Sequence, residues 1–438
     1  MSDTTASNSR SGETVRATPR SSALRAAGPW LLSAAALLAL PFIFRSDTYL
    51  TVMSLMGIAI VFALSYNMML GQTGMLSFGH AVYYGLGAYF VVHVMNWAIA
   101  TRAPIPLPLM PLVGGFAGLG FAVISGWLST KRSGTTFSMI SLGLAELVGS
   151  SSLILRTFFG GEEGITTNRT KLLRLTDWSF GSQFQMYYLI ATWCLICAIA
   201  MYALTRTPFG RMCNAVRENP ERAQFVGYNP QVVRYIAFCL SGFFAGIAGA
   251  LAGINFELAN ANLFGAAQSG TVLLATFIGG IGTFVGPVLG AVLVSYLQVM
   301  LSDITEVWQL YFGLMFIAVV MFAPGGLAGL VQMHAPLVRG GVIGRLMPSY
   351  LMAIVPALLL LLGVVMLIEM TVQLAVKQSE GPAMKLFGIG FNANQPWPWL
   401  LMAVLLASAY VLFRLISPRL SAAWDSARVT AAERGIVI

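Results

Sequence analysis

The sequence predicts an all-α polytopic membrane protein, with about ten transmembrane helices and one broken, re-entrant segment near residues 269–300. Three observations predict it. The 438 residues are 57% hydrophobic and 9% charged, against about 25% charged in ordinary soluble domains, so a soluble core would leave too much apolar surface exposed. The apolar residues fall into runs near the roughly 20 residues that one helical crossing needs. Lys and Arg concentrate in a few short connections, the distribution that the positive-inside rule produces.

Residues 1–28 hold Ser, Thr, Ala and four Arg without an apolar run near Met1. They read as a disordered basic cytoplasmic tail rather than a cleaved leader. Predicted spans follow at 28–44, 49–70, 75–98, 107–128, 134–157, 185–204, 232–254, 308–323, 350–376 and 397–415. The apolar stretch 269–300 is interrupted by Gly279-Gly-Ile-Gly282 and by Pro287. Irregular backbone at membrane depth is tolerated where it is buried in protein or lines a cavity. The organisation is then a tail (1–28), a core (29–330) with a polar loop at 205–231, and a C-terminal extension (331–438) with two extra spans.

Charge orients this chain. Arg10, Arg16, Arg20 and Arg25, then Lys131-Arg132, then the 205–231 loop fall on one side, read as cytoplasmic. Residues 255–268 carry no Lys or Arg and fall outside. A segment at 269–300 that enters and returns on one side keeps Arg339, Arg345, Arg414, Arg419, Arg428 and Arg434 inside, so both termini are cytoplasmic. Arg45, Arg102, Arg169, Lys171, Arg174, Lys377 and Lys385 fall outside against the rule. Cys194 and Cys197 form a C-x-x-C inside an apolar run, where two buried side chains on adjacent turns are expected rather than a redox pair.

Small residues recur every fourth position at Gly242, Gly246 and Ala250, at Ala245, Gly249 and Gly253, and at Gly282, Gly286 and Gly290. That spacing lets helix backbones approach. Two glycine-rich constellations stand out, Leu70–Tyr89 and Phe277–Ala291. The first reads either as broken helix lining a solute path or as a tight turn with a packing face, and the second as a half-helix pair meeting inside the bundle that faintly echoes the first. Gly160-Gly-Glu-Glu-Gly-Ile165 opens the longest outer loop, as a contact for an external partner or as a solvated turn. Glu146 sits mid-span, where a carboxylate is costly and marks function or a structural hydrogen bond.

The polar interruption at 206–230 carries four Arg, two Glu and three Pro. Thr207-Pro208 and Asn219-Pro220 read as N-cap and first-turn starts of two short helices, and Gly227 and Asn229-Pro230 as stops. Ala223, Phe225 and Val226 give the second helix an apolar edge that suits either the membrane surface or a partner's groove, against a plain positive-inside loop with local helix; two capped helices in so short a loop favour the partner. No G-x-x-x-x-G-K-[ST], H-E-x-x-H or G-x-S-x-G occurs, and His80, His93 and His334 have no metal spacing. No enzyme, metal or cofactor is expected, and any ATP must be bound by another subunit.

These segments together resemble the permease subunits of branched-chain amino-acid ABC importers over residues 50–330. The carriers are Leu70–Tyr89, Ser141–Glu146, Gly160–Ile165, Pro208–Tyr228, Gly279–Ala291 and Phe322-Ala-Pro-Gly-Gly-Leu-Ala-Gly329, in order. The resemblance implies a bacterial inner-membrane permease half that pairs with a second permease, two cytoplasmic ATPases and an external solute-binding protein. It places the ATPase contact on Pro208, Phe209, Gly210, Arg211, Arg217, Glu218, Arg222 and Gly227. Reversing charge at Arg211 and Arg217 together should then remove the ATPases. The translocation path would run along Asn67, Gly71, Gly74, Ser77, Glu146, Gly280 and Gly282. Ala259-Asn-Ala-Asn262 and Thr271 depart from the family's pattern and leave the solute open: branched-chain or similar amino acids, or urea, amides or aromatic acids. The contrasting reading is an ATP-independent secondary transporter, for which the chain offers chiefly Glu146 as a mid-membrane titratable group.

Overall fold

The computed structural model describes residues 19–172, 179–341, 343–375, 381–386 and 388–433. Of the charges used for orientation, Arg10, Arg16, Arg174, Lys377 and Arg434 lie outside the described residues, as does the tail up to residue 18. The first unit reaches Ala328 and the second begins at Gly329.

The first unit is built from α1 (Pro19–Ile43), α2 (Asp47–Thr73), α3 (Ala81–Thr101), α4 (Met110–Ser129), α5 (Thr135–Ile154) and the single turn α6 (Arg156–Phe159). It continues through α7 (Gln183–Arg206), α8 (Pro208–Glu218), α9 (Pro220–Phe225), α10 (Pro230–Phe256), α11 (Ala266–Gly279), α12 (Val285–Ile304) and α13 (Trp308–Phe322). Two strands, β1 (Ile165–Thr166) and β2 (Leu258–Ala259), pair antiparallel at one end of the bundle. Residues 19–28, read from sequence as tail, have helical backbone. Pro19 suits a first helical position, and Ala, Leu and Arg behind it are strong helix formers.

Among the described residues, eight helices are long and apolar enough to cross a membrane, or nine if α13 and α14 (Gly326–Arg339) make one bent span. Every one of the ten predicted spans holds a helix, and the counts differ for physical reasons. The apolar part of α1, Gly28–Ile43, is short. In α3, Tyr83, Tyr84, Tyr89, His93 and Asn96 dilute an otherwise apolar run, and that helix is largely buried by its neighbours instead. The predicted broken segment is a hairpin of unequal arms: α11 is about 21 Å long and α12 about 30 Å by helical rise, so α12 is the arm long and apolar enough to cross a membrane.

The core centres on α10, which packs against α2, α3 and α4. Its two rows of small residues face two different helices. Gly242 and Gly246 meet Gly118 and Gly114 of α4, while Gly249 and Gly253 meet Tyr84 and Ala88 of α3. A Cβ on Gly246 or Gly249 would collide with a backbone carbonyl, of Gly114 and Tyr84 respectively. Without a hydrophobic driving force between helices in lipid, this backbone approach is what holds them. Gly286 and Gly290 of α12 do the same against Gly279 and Ala275 of α11, closing the hairpin.

The second unit contains α15 (Ile343–Ala375), the hairpin strands β3 (Ala383–Leu386) and β4 (Ile389–Asn392), and α16 (Pro396–Glu433). Gly363 of α15 sits on Leu406 of α16. Leu337, Leu346 and Ala427 form a small core with Tyr350 and Trp424 at one end of this pair. His334 there bonds the Leu330 carbonyl and the Tyr350 hydroxyl, both at 2.7 Å.

Candidate functional site

The 205–231 loop is two ordered helices. Thr207 caps α8 by accepting from the Gly210 amide at 3.4 Å, and Asn219 caps α9 by accepting from Arg222 at 2.9 Å. Asn229, read from sequence as part of a stop, is a third start: its side chain accepts from Gln231 and Val232 at the head of α10. Gly227, at φ +93°, makes the actual reversal, a conformation that a Cβ disfavours.

The loop has an inner and an outer side. Cys213, Val216 and Ala223 pack with Val233 and Ala237 of α10, joined by Phe209 and Met212. Gly210 lies flush on the Leu204 and Thr205 carbonyls, leaving no room for a side chain. Burial pushes the Cys213 thiol up to about 12, so it is an inert core group. Ala223 is therefore part of this small core and not of the free edge. The outer side carries Pro208, Arg211, Glu218 and Arg222, all exposed. At its tip Phe225 is 91% exposed, Val226 71% and Tyr228 44%. Burying a Phe side chain is worth about 1.5–3 kcal/mol, a gain that this exposed Phe–Val pair, outside the apolar spans, forgoes.

Arg217, also exposed, extends its side chain the other way, toward the bundle. Its Nη1 donates to the Gly71 carbonyl at the end of α2. Its stem lies against Gly74, whose φ of +72° ends α2, and its guanidinium against Gly282, at φ +86°. Asn67 donates to the Thr283 carbonyl at 3.2 Å and accepts from the Gly282 amide at 3.5 Å. Gly280, at φ +116°, abuts Gly325 and Gly326 so closely that a Cβ would strike the Gly325 carbonyl. Asn67, Gly71, Gly74, Gly280 and Gly282 thus form one joint around Arg217. They join two helix breaks to the polar loop.

Ser77 and Glu146 lie apart from this joint. Ser77 is buried; its carbonyl accepts from the Tyr66 hydroxyl at 2.8 Å and its hydroxyl accepts from the Gly79 amide. The 76–79 turn is stitched to α5 by Ser138 and Ser141. Glu146 is exposed on the opposite face of α5, with Leu142 and Leu147 also exposed beside it. A bare carboxylate at helix centre costs about 2.5–3.5 kcal/mol in lipid, so that face requires water or protein over it.

The far end of the bundle holds a residue that sequence reasoning treated only as an exception. Arg169 is buried, and its guanidinium donates to the carbonyls of Asn255 (2.9 Å), Ile254 (3.4 Å), Phe180 (2.7 Å) and Gly181 (3.4 Å). It pairs with Glu257 at 3.7 Å. Its charge is absorbed by the C-terminal carbonyls of α10, where a cation is favoured, which is why it escapes the loop-charge bias. The Gly160–Ile165 turn is clamped by β1–β2 pairing and by Gly164 seated against the Ala259 carbonyl, leaving Glu162 and Glu163 exposed on a fixed turn. Among the described residues no group of His, Cys, Asp and Glu is arranged to hold a metal ion.

Residues 48–324 match the protein family described as "Branched-chain amino acid transport system / permease component". The high-affinity branched-chain amino acid transport system permease protein LivM of Escherichia coli is 26% identical over 329 residues, covering 70% of this chain and 75% of that protein. LivH of Salmonella typhimurium, a permease protein of the same description, is 26% identical over 61% of this chain and 90% of its own length. The ribose import permease protein RbsC of Haemophilus influenzae is 27% identical over 33% of this chain and 48% of its own. No solved structure matches.

Proposed function

The chain belongs to the family of permease components of branched-chain amino acid transport systems, and from that premise we propose that it is the membrane half of an ATP-driven importer carrying branched-chain or similar amino acids into the cytoplasm. It is a multi-pass membrane permease and not an enzyme. The observation that carries the proposal is the two-sided α8–α9 loop. Its tip offers Phe225 and Val226 to a partner, while Arg217 at its root reaches Gly71 and Gly282 between the broken helices. A push on the tip is transmitted as a rigid body, because the loop has its own core and two caps. It arrives at the joint of α2 with the α11–α12 hairpin, two elements whose breaks let them tilt.

The partner at the tip is a cytoplasmic ATPase, since the chain has no phosphate-binding loop of its own. ATP binding draws two ATPases together and moves the tip. A second permease covers the α5 face and removes Glu146 from lipid. An external solute-binding protein delivers at the Arg169 end, where Glu162 and Glu163 stand on their clamped turn. This arrangement places the α8–α9 loop and both termini in the cytoplasm.

Proteoliposomes test it. With a second permease, the ATPases and ATP enclosed, and the binding protein outside, radiolabelled leucine is taken up only while ATP is present. Uptake of the same rate by this chain without any ATPase subunit would overturn the proposal in favour of a secondary transporter.

A further inference from the structure

We propose that a groove between α2, α11, α12 and α13 is where this subunit touches the passing solute, and that Gln268, Thr271 and Gln298 there select for solutes of no net charge. The proposal rests on the permease reading above and names a site within it.

Two cavities of about 320 and 480 Å³ adjoin in this region and share Gln268, Thr271, Val294 and Gln298. Gln298 lies about 20 Å along α12 from Val285 by helical rise, within the span and toward the Arg169 end. Below the groove the hairpin shuts. Ala275 is the deepest α11 residue in the lining, and beneath it Gly279, Gly286 and Gly290 meet backbone to backbone. The Asn67–Thr283 bond and Arg217 seal the same end. The groove is therefore blind toward the coupling loop and faces the end where Asn262 and Leu263 lie.

Its chemistry is mixed in a particular way. Ile58, Phe62 and Val272 supply an apolar wall. Gln268, Thr271, Ser295 and Gln298 supply hydrogen-bonding groups, and no Asp, Glu, Lys, Arg or His lines either cavity. Among the described residues the side-chain amides of Gln268 and Gln298 have no hydrogen-bond partner. Thr271 donates to the Ala267 carbonyl at 2.9 Å, leaving its lone pairs free to accept. A carboxamide both donates and accepts. Two of them with a hydroxyl satisfy a zwitterionic head or an amide equally, beside an aliphatic body on Ile58 and Phe62. A solute with net charge would leave that charge uncompensated against an apolar wall, which is strongly unfavourable. Unpaired amides in lipid are also unfavourable, so they face either solute and water or another protein.

The test has two arms. The native Cys194, Cys197, Cys213 and Cys239 are all buried, so Thr271→Cys, Gln298→Cys and the exposed control Thr101→Cys, at the outer end of α3, each report singly. Methanethiosulfonate reagents that are neutral, anionic and cationic are applied from outside to the assembled complex. Relative to Thr101→Cys, the groove cysteines should disfavour both charged reagents over the neutral one by roughly tenfold or more, as a polar site without countercharge does. No charge discrimination, or no reaction with any reagent, overturns the proposal. In the second arm, Gln268→Ala with Gln298→Ala should raise the KM for leucine uptake by roughly tenfold with the complex still assembled. An unchanged KM in an intact complex, or loss of the second permease from the complex, would mean that the amides serve nothing here or serve as interhelical hydrogen bonds. If the wild-type assembly takes up no leucine, the assignment of leucine as its solute fails, and the reagent arm still decides the groove.

Discussion

Replacing Phe225 and Val226 together by glutamate is expected to weaken association with the ATPase subunits on the order of 100-fold or more, since central interface anchors contribute about 2 kcal/mol each. The basis is their exposure, 91% and 71%, on a loop that is otherwise well packed. Neither side chain supports the fold: the small core of the loop is Cys213, Val216, Ala223, Val233 and Ala237, on its other side. Membrane insertion and yield should therefore match the wild type, and replacing exposed apolar groups by carboxylates raises solubility if anything. Co-purification of the tagged ATPases with the variant measures the effect. Full recovery of the ATPases would remove the tip from the interface.

Arg217→Ala is expected to do the opposite. The ATPases stay bound and continue to hydrolyse ATP, while leucine uptake falls by about tenfold or more, the loss that accompanies removal of a charge-assisted hydrogen bond of about 1.5–3 kcal/mol. The guanidinium points to the Gly71 carbonyl and lies against Gly282, away from the tip. Its removal leaves the docking side intact and breaks the link between the loop and the two helix breaks. Arg211, exposed on the outer side, has no such inward contact. We propose that the two arginines that the resemblance groups together separate, with Arg211 on the docking face and Arg217 in transmission. The ratio of ATP hydrolysed to leucine transported checks this. An unchanged ratio, or loss of ATPase binding in Arg217→Ala, would contradict it.

Much of the fold was legible because the bilayer forces the sequence to declare its spans. Runs of apolar residues, the capping pairs Thr207-Pro208 and Asn219-Pro220, and the small-residue rows of α10 each have a direct physical cause in the linear chain, and the structure has each of them. The glycine break at 279–282 was also visible, but its consequence was not. Whether such glycines line a path or form a joint depends on what meets them, and Gly71, Gly74 and Gly282 meet Arg217, far away in sequence. The inward turn of Arg217 carries no local signal, since an arginine on a short helix reads the same facing either way. Arg169 was hidden for a similar reason: its partners at Phe180 and at residues 254–257 come together only when α10 ends beside the outer loop. The groove residues Gln268, Thr271 and Gln298 are scattered single polar residues in apolar runs. They become a set only once α11 folds back on α12.

The central claim is that a partner ATPase seats on the tip of the α8–α9 loop. A photo-activatable side chain placed at Phe225 in the intact, membrane-embedded assembly tests it most directly. The account predicts one dominant protein adduct at the combined mass of this chain and an ATPase subunit, absent when the same group replaces Trp127 of α4, which is 60% exposed. Adducts from Phe225 to lipid, or to the second permease in place of the ATPase, would contradict it.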